Sequence, residues 1–115
     1  ADGGIDILAS PGPLGFGRPR LCVQVKSWDG PVDSPTLDQL VGAMNKVGAD
    51  QGLLVSWGGF KSTVELQRPM RWFNVRFWNR KDLIDELLAH YDALEPEVRA
   101  QIPLRRIWVP AGDEI

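Results

Sequence analysis

The sequence contains a single cysteine, Cys22, and a single histidine, His90, among its 115 residues. One cysteine cannot form an intrachain disulfide, so we expect a reducing, cytoplasmic environment. A zinc site built from cysteine and histidine is excluded, and no Ser/His/Asp or Cys/His triad has a recognisable framework. Burial as a small apolar side chain explains Cys22, and a favourable charge at a helix end explains His90.

Long apolar runs and an excess of positive charge are also lacking. The apolar runs are a few residues each, so we expect no transmembrane helix and no contact with a membrane; nor does the start of the sequence resemble a signal peptide. With 13 basic and 15 acidic residues, the net charge is −2. Proteins that bind nucleic acid over their whole surface are usually strongly basic. Any such contact must therefore come from a local patch.

The apolar pattern predicts one α/β domain over residues 1–115, with the element order β-β-α-β-α-β-α-α-β. We expect strands at 5–9, 21–26, 52–57, 73–78 and 104–109. Helices should begin at Ser34 as N-cap, after Gly58-Gly59, after Asn79 and at Pro96. The loop of residues 10–19 predicts antiparallel pairing of the first two strands, and the later helical crossovers predict parallel pairing. A mixed sheet with helices on its faces follows.

Polar residues stand where strand interiors should be apolar. Asp6 lies between Ile5 and Ile7, and period-two alternation puts Gln24 and Lys26 on one face of the second strand, about 6.6 Å apart. Burying such groups without partners costs several kcal/mol. If the two strands are neighbours, an acid, an amide oxygen and an ammonium converge. That combination suits a hard cation beside a phosphate.

Plainer interpretations stand beside this one. Asp6 alone could be a turn or cap residue, and Lys26 alone a solvated residue at a strand end. A structural ion pair between Asp6 and Lys26 is a further alternative, although it does not require Gln24 on the same face. Arg18 and Arg20 on the glycine- and proline-rich loop could contact a DNA backbone near the site, or simply be solvated.

Two segments carry a family resemblance. Residues 2–9 (DGGIDILA) followed by residues 23–26 (VQVK) resemble the Mrr-like branch of the PD-(D/E)xK nuclease superfamily, which often carries QxK in place of ExK. Residues 40–44 (LVGAM), 49–55 (ADQGLLV) and 58–60 (GGF) look like the helix, buried strand and turn of the same family. The similarity spans roughly residues 2 to 90.

The resemblance implies a restriction-endonuclease-like, three-layer α/β/α fold with a central mixed sheet. It implies that Asp6 binds a metal, that Gln24 offers its amide oxygen as second ligand, and that the backbone carbonyl of Val25 also reaches the metal. Lys26 would hold the attacking water beside the scissile phosphate. The expected cofactor is Mg²⁺, with Mn²⁺ as a substitute, and the expected substrate is double-stranded DNA.

The sequence departs from the family in two respects. Gln24 removes one negative charge from the site, and the family's first helix and edge strand do not precede the DGGID segment. We therefore expect a C-terminal fragment of a longer protein whose N-terminal region recognises DNA. Restriction of foreign or modified DNA, carried out by a homodimer, is the expected role. The alternatives are a degenerate module that binds DNA or mediates assembly without cleavage, and a nuclease for RNA, single strands or branched substrates.

Overall fold

The computed structural model describes residues 4–112 and contains one four-stranded mixed sheet. The strands lie side by side in chain order: β1 (Ile7–Ala9), β2 (Leu21–Lys26), β3 (Gln51–Ser56) and β4 (Val75–Asn79). β1 runs antiparallel to β2, whereas β2, β3 and β4 are parallel to one another. The predicted α/β class and the predicted strand directions are confirmed.

The parallel strands are connected by helical segments: α1 (Ser34–Val47) joins β2 to β3, and α2 (Ser62–Glu65) with a short 3₁₀ helix at Pro69–Arg71 joins β3 to β4. After β4 follow α3 (Arg80–Ala89), a 3₁₀ helix at Tyr91–Ala93 and α4 (Pro96–Gln101). α1 packs on β2 and β3, and α3 packs on β4 and β3. A parallel pair cannot be closed by a tight hairpin, and a helix is the usual crossover between such strands.

The hydrophobic core lies between the sheet and α1. Leu37 and Leu40 of α1 pack there with Cys22, Leu54 and Phe77 of the sheet, and all five side chains are fully buried. Burying a leucine or phenylalanine side chain stabilises a fold by about 1.5–3 kcal/mol. This core fixes the direction of the side chains of β2. Because alternate residues of a strand share a face, Gln24 points toward α1 as Cys22 does.

The N-cap of α1 is Asp33, so the predicted cap at Ser34 is wrong by one residue. The backbone of Asp33 is extended, with φ −110° and ψ 177°, and its carboxylate accepts a hydrogen bond from the Thr36 hydroxyl at 3.1 Å. Ser34 is already the first helical residue. The predicted end of the helix is confirmed, because Gly48 adopts the left-handed conformation with φ 69° that glycine tolerates best.

The strand predicted at residues 104–109 does not form; this segment is irregular and exposed. A fifth strand would need a free edge on β4, but the Arg68 guanidinium donates a hydrogen bond of 3.1 Å to the carbonyl of Phe77 there. Arg106 instead pairs with Asp92 at 2.8 Å and lowers the pKa of that carboxyl. The fourth strand also begins later than predicted, at Val75.

No helix within residues 4–112 is both long and apolar enough to cross a membrane.

Candidate active site

Asp6 lies immediately before β1, where the pairing with β2 ends. Its backbone N–H donates to the carbonyl of Val23 at 2.9 Å, and the strand register starts one residue later, at Ile7 opposite Val23. Beyond Val23, the hydrogen-bond partner of β2 is the side chain of Asp6 and no longer its main chain. The Asp6 Oδ2 atom accepts a hydrogen bond of 2.6 Å from the backbone N–H of Val25. Asp6 is thereby held beside the residue that separates Gln24 from Lys26.

The backbone carbonyl of Val25 faces the same edge of β2. The N–H of Trp57 donates to the carbonyl of Lys26 at 2.9 Å, so the main-chain groups of Lys26 face β3. Main-chain groups alternate in direction along a strand, so those of Val25 face the other way, toward β1 and Asp6. The Val25 carbonyl oxygen is therefore on the side of β2 where the Asp6 carboxylate lies.

Gln24 is the only charged or polar residue of β2 that is fully buried, with 1% of its surface exposed. Its Nε2 atom donates a hydrogen bond of 3.2 Å to Oε1 of Gln39 on α1. Its own Oε1 atom is buried and has no hydrogen-bond partner among residues 4–112. Leaving a buried acceptor unpaired costs about 1–3 kcal/mol. Such an atom calls for a specific explanation, and a cation bound by the amide oxygen supplies one.

Three oxygen atoms of Asp6 and of this end of β2 are of the chemical types that a hard divalent cation accepts. The Asp6 carboxylate, the Gln24 Oε1 atom and the Val25 carbonyl are all ligand types that Mg²⁺ accepts. Within residues 4–112 no cluster of three or more histidine, cysteine, aspartate or glutamate side chains is positioned to hold a metal. A metal held by these three groups would face the Asp6 carboxylate and two neutral oxygens.

Lys26 is the last residue of β2 and is partly buried. Alternation places its side chain on the same face as Gln24, two residues further along the strand. The ion pairs found within residues 4–112 involve other cations, and Asp6 uses its carboxylate to bind the backbone of Val25 instead. The structural ion pair between Asp6 and Lys26 is therefore not formed among the described residues.

Arg18 and Arg20 lie at the opposite end of β2, so the structure does not bring them to Asp6. The five steps from Leu21 to Lys26 correspond to roughly 17 Å of strand. The Arg18 guanidinium pairs with the Asp50 carboxylate, which also accepts the backbone N–H of Arg20 at 2.8 Å. The Arg20 guanidinium donates to the carbonyl of Phe16 at 3.0 Å. The Arg18 side chain and the Arg20 backbone thus anchor the loop to Asp50, immediately before β3, whereas the Arg20 side chain bonds within the loop.

Two neighbours of Gln24 were not found from the sequence. Gln39 is an exposed residue of α1, and only its place beside the buried Leu40, at the border of the apolar stripe, could have suggested it. Gly4 has φ +77°, and a Cβ atom there would lie 3.2 Å from Nε2 of Gln24. Asp2 and Gly3, which complete the DGGxD pattern, lie outside the described residues.

Comparison with protein-family models identifies the family of the chain. The model of the Mrr catalytic domain, described as a restriction endonuclease, matches residues 1–87. The chain belongs to this restriction endonuclease family. The match includes all four strands and every candidate site residue, and the mixed α/β sheet is consistent with the restriction-endonuclease-like fold. Neither a curated protein nor a solved structure matches the chain.

Proposed function

We propose that this restriction-endonuclease domain hydrolyses phosphodiester bonds of double-stranded DNA with the help of Mg²⁺. The observation that carries the proposal is the buried, unpaired Oε1 atom of Gln24 on the strand to which the Asp6 carboxylate is bonded. Asp6, Gln24 and the carbonyl of Val25 would hold the cation. A bound divalent cation lowers the pKa of water and polarises a phosphoryl oxygen.

Lys26 supplies the remaining positive charge. Its ammonium group would donate hydrogen bonds to the attacking water and to a non-bridging oxygen of the scissile phosphate. As the phosphorus centre becomes five-coordinate, negative charge accumulates on those oxygens, and a positioned cation stabilises it. Because Lys26 is partly buried at the end of β2, this stabilisation is larger than in open water.

The test is cleavage of supercoiled plasmid by the 115-residue chain in Mg²⁺, compared with Mg²⁺-free buffer. We expect nicked and linear products from the wild type only when Mg²⁺ is present. Asp6→Asn and Lys26→Met should each lower the rate at least about 100-fold, as removal of a group that stabilises the transition state does in other enzymes. Equal rates for the wild type and both variants would show that the site is assigned wrongly.

A second candidate is a nuclease-fold module that binds DNA or mediates assembly without cutting. The observation that favours it is the neutral amide of Gln24, which stands where an ExK site has a carboxylate; within the described part of the chain no group of three or more histidine, cysteine or acidic side chains is placed to hold a metal. Fewer charged ligands give weaker metal binding. This module would retain plasmid in a gel-shift assay with or without Mg²⁺ and would leave it uncut in both.

We also propose a biological role, partners and a cellular compartment for this domain. The role would be restriction of foreign or modified DNA. An N-terminal region of the same protein would recognise the DNA sequence, and a homodimer would cut both strands. The lone, buried Cys22 suits a reducing cytoplasm. Contact of Arg18 and Arg20 with the DNA backbone stays a prediction, and it would require both side chains to leave their present partners.

A further inference from the structure

The side-chain amide of Gln24 has two ends of different chemistry. Its oxygen can bind a cation, whereas its NH₂ group can only donate hydrogen bonds. Rotating the amide by half a turn exchanges the two ends with almost no change in shape. A site that uses Gln24 as a ligand therefore needs something that selects the orientation, and this residue is too deeply buried for bulk water to do so.

The structure contains a hydrogen-bond partner at one end of this amide. Oε1 of Gln39 accepts the hydrogen bond from Nε2 of Gln24 at 3.2 Å, so that the NH₂ end faces α1 and Oε1 is left as the free end. The helix backbone at Gln39 is held in place, because Leu37 and Leu40 of α1 are fully buried in the core, while the Gln39 side chain itself lies at the exposed border of the helix.

The main chain of Gly4 encloses the same pair of amides. A Cβ atom on Gly4 would lie 3.0 Å from Cγ of Gln39 and 3.2 Å from Nε2 of Gln24. Glycine at this position lets the segment before β1 approach both side chains at once. The NH₂ end of Gln24 is thus held between Gln39 and Gly4.

We propose that Gln39 is a positioning residue that keeps the amide oxygen of Gln24 directed at the metal site. The inference rests on the proposed function, because it assumes that Gln24 binds a metal there. It also explains why a partner is required: a glutamate at position 24 would present two equivalent oxygens and would need no selection, whereas a glutamine binds a cation in only one of its two orientations.

The experiment is a double-mutant cycle on Mn²⁺ affinity, measured by titration calorimetry on the 115-residue chain. Gln39→Met keeps the length of the side chain but removes the acceptor. We expect it to weaken Mn²⁺ binding about tenfold, the lower end for loss of an outer-shell partner. In the Gln24→Glu background the same change should alter affinity less than about twofold, since the carboxylate needs no orientation. Gln51→Met, at an exposed position at the start of β3, is the matched control and should leave affinity unchanged.

The outcomes separate this inference from the proposed function. A tenfold loss in both backgrounds would mean that Gln39 acts only by supporting the local structure, and no loss in the single variant would mean that it has no role; either result overturns the inference while leaving Gln24 a ligand. If the wild type binds no Mn²⁺, the proposed function fails and the inference fails with it.

A metal-free measurement and a second variant complete the test. The side-chain NH₂ resonances of Gln24 should shift in Gln39→Met but not in Gln51→Met, and unchanged resonances would overturn the inference. If Gln24→Glu does not fold, the Mn²⁺ affinity of Gln39→Glu tests the inference in its place. Its carboxylate can only accept, so it should hold Gln24 in the binding orientation and keep Mn²⁺ affinity at or above that of the wild type. Weaker binding would count against the proposal.

Discussion

The Oδ2 atom of Asp6 accepts a hydrogen bond of 2.6 Å from the backbone N–H of Val25, the residue between Gln24 and Lys26. The register of β1 with β2 begins at Ile7. Before Ile7, the side chain of Asp6 makes the hydrogen bond to the backbone of Val25. This arrangement anchors the carboxylate without a cationic partner. In the proposed function, its charge acts on the bound cation.

Gln24→Glu should strengthen metal binding and weaken the metal-free fold. A second carboxylate beside Asp6 attracts a divalent cation more strongly, and we expect a gain of at least about tenfold in Mn²⁺ affinity by calorimetry. Without metal, burial should raise the pKa of the new carboxyl above the ordinary glutamate value. An acid whose pKa is raised on folding loses stability as pH rises, so the variant should be less stable at pH 8 than at pH 5, relative to wild type, in urea unfolding.

Gln51→Glu is the control for this change, because position 51 is exposed. It should alter neither the Mn²⁺ affinity nor the pH dependence of unfolding. If Gln24→Glu behaves like Gln51→Glu, position 24 does not adjoin a metal site.

Lys26→Met should separate metal binding from catalysis. The substitution keeps the apolar stem and removes the ammonium group, so plasmid cleavage should fall at least about 100-fold. Mn²⁺ affinity should stay the same or rise, because a neighbouring positive charge has been removed. Lys46→Met, in the exposed last turn of α1, should change neither quantity. A parallel loss of Mn²⁺ binding and cleavage in Lys26→Met would contradict the role given to Lys26.

Cys22 should be almost inert toward alkylation in the folded protein. The side chain has 0% of its surface exposed, and burial raises the pKa of its thiol. Both effects lower the amount of accessible thiolate, which is the reactive form. Mass spectrometry after iodoacetamide treatment at pH 7.5 should show little adduct until urea unfolds the chain. Rapid alkylation without denaturant would mean that the packing between β2 and α1 is not as described.

Asp33→Ala and Ser34→Ala form a matched pair at the start of α1. Loss of a side-chain cap costs about 1 kcal/mol, so Asp33→Ala should lower the free energy of unfolding by that amount. Ser34 is already inside the helix and its hydroxyl accepts only a long hydrogen bond of 3.3 Å from Nε2 of Gln67, so its replacement by alanine should cost less than that of Asp33. If Ser34→Ala lowers the free energy of unfolding more than Asp33→Ala does, the N-cap is Ser34, as the sequence predicted.

The features that the sequence predicts well are those set by local periodicity. Alternation along residues 21–26 places Gln24 and Lys26 on one face, and the lengths of the connections decide which strands run parallel. The error at Ser34 arises because Asp33 and Ser34 are both good caps, and the choice depends on which of the two has an extended backbone.

The features that the sequence does not reveal depend on contacts between distant residues. Gln39 meets Gln24 across fifteen positions of the chain, and at a solvent-exposed helix position its residue type alone indicates nothing. The segment 104–109 has the composition of a strand, but a strand needs an edge to pair with, and Arg68 occupies the carbonyl of Phe77 on β4. Neither contact can be derived from the neighbouring residues alone.

The most direct measurement is a calorimetric titration of Mn²⁺ into the wild type, Asp6→Asn and Asp50→Asn. Asp50 is a matched control because its carboxylate also accepts a backbone N–H beside β2, from Arg20 at 2.8 Å, but at the end of the strand remote from Gln24. We predict that the wild type and Asp50→Asn bind one Mn²⁺ per chain with similar affinity, and that Asp6→Asn binds at least about tenfold more weakly. Equal affinity in Asp6→Asn and the wild type would contradict the metal site on which the account depends.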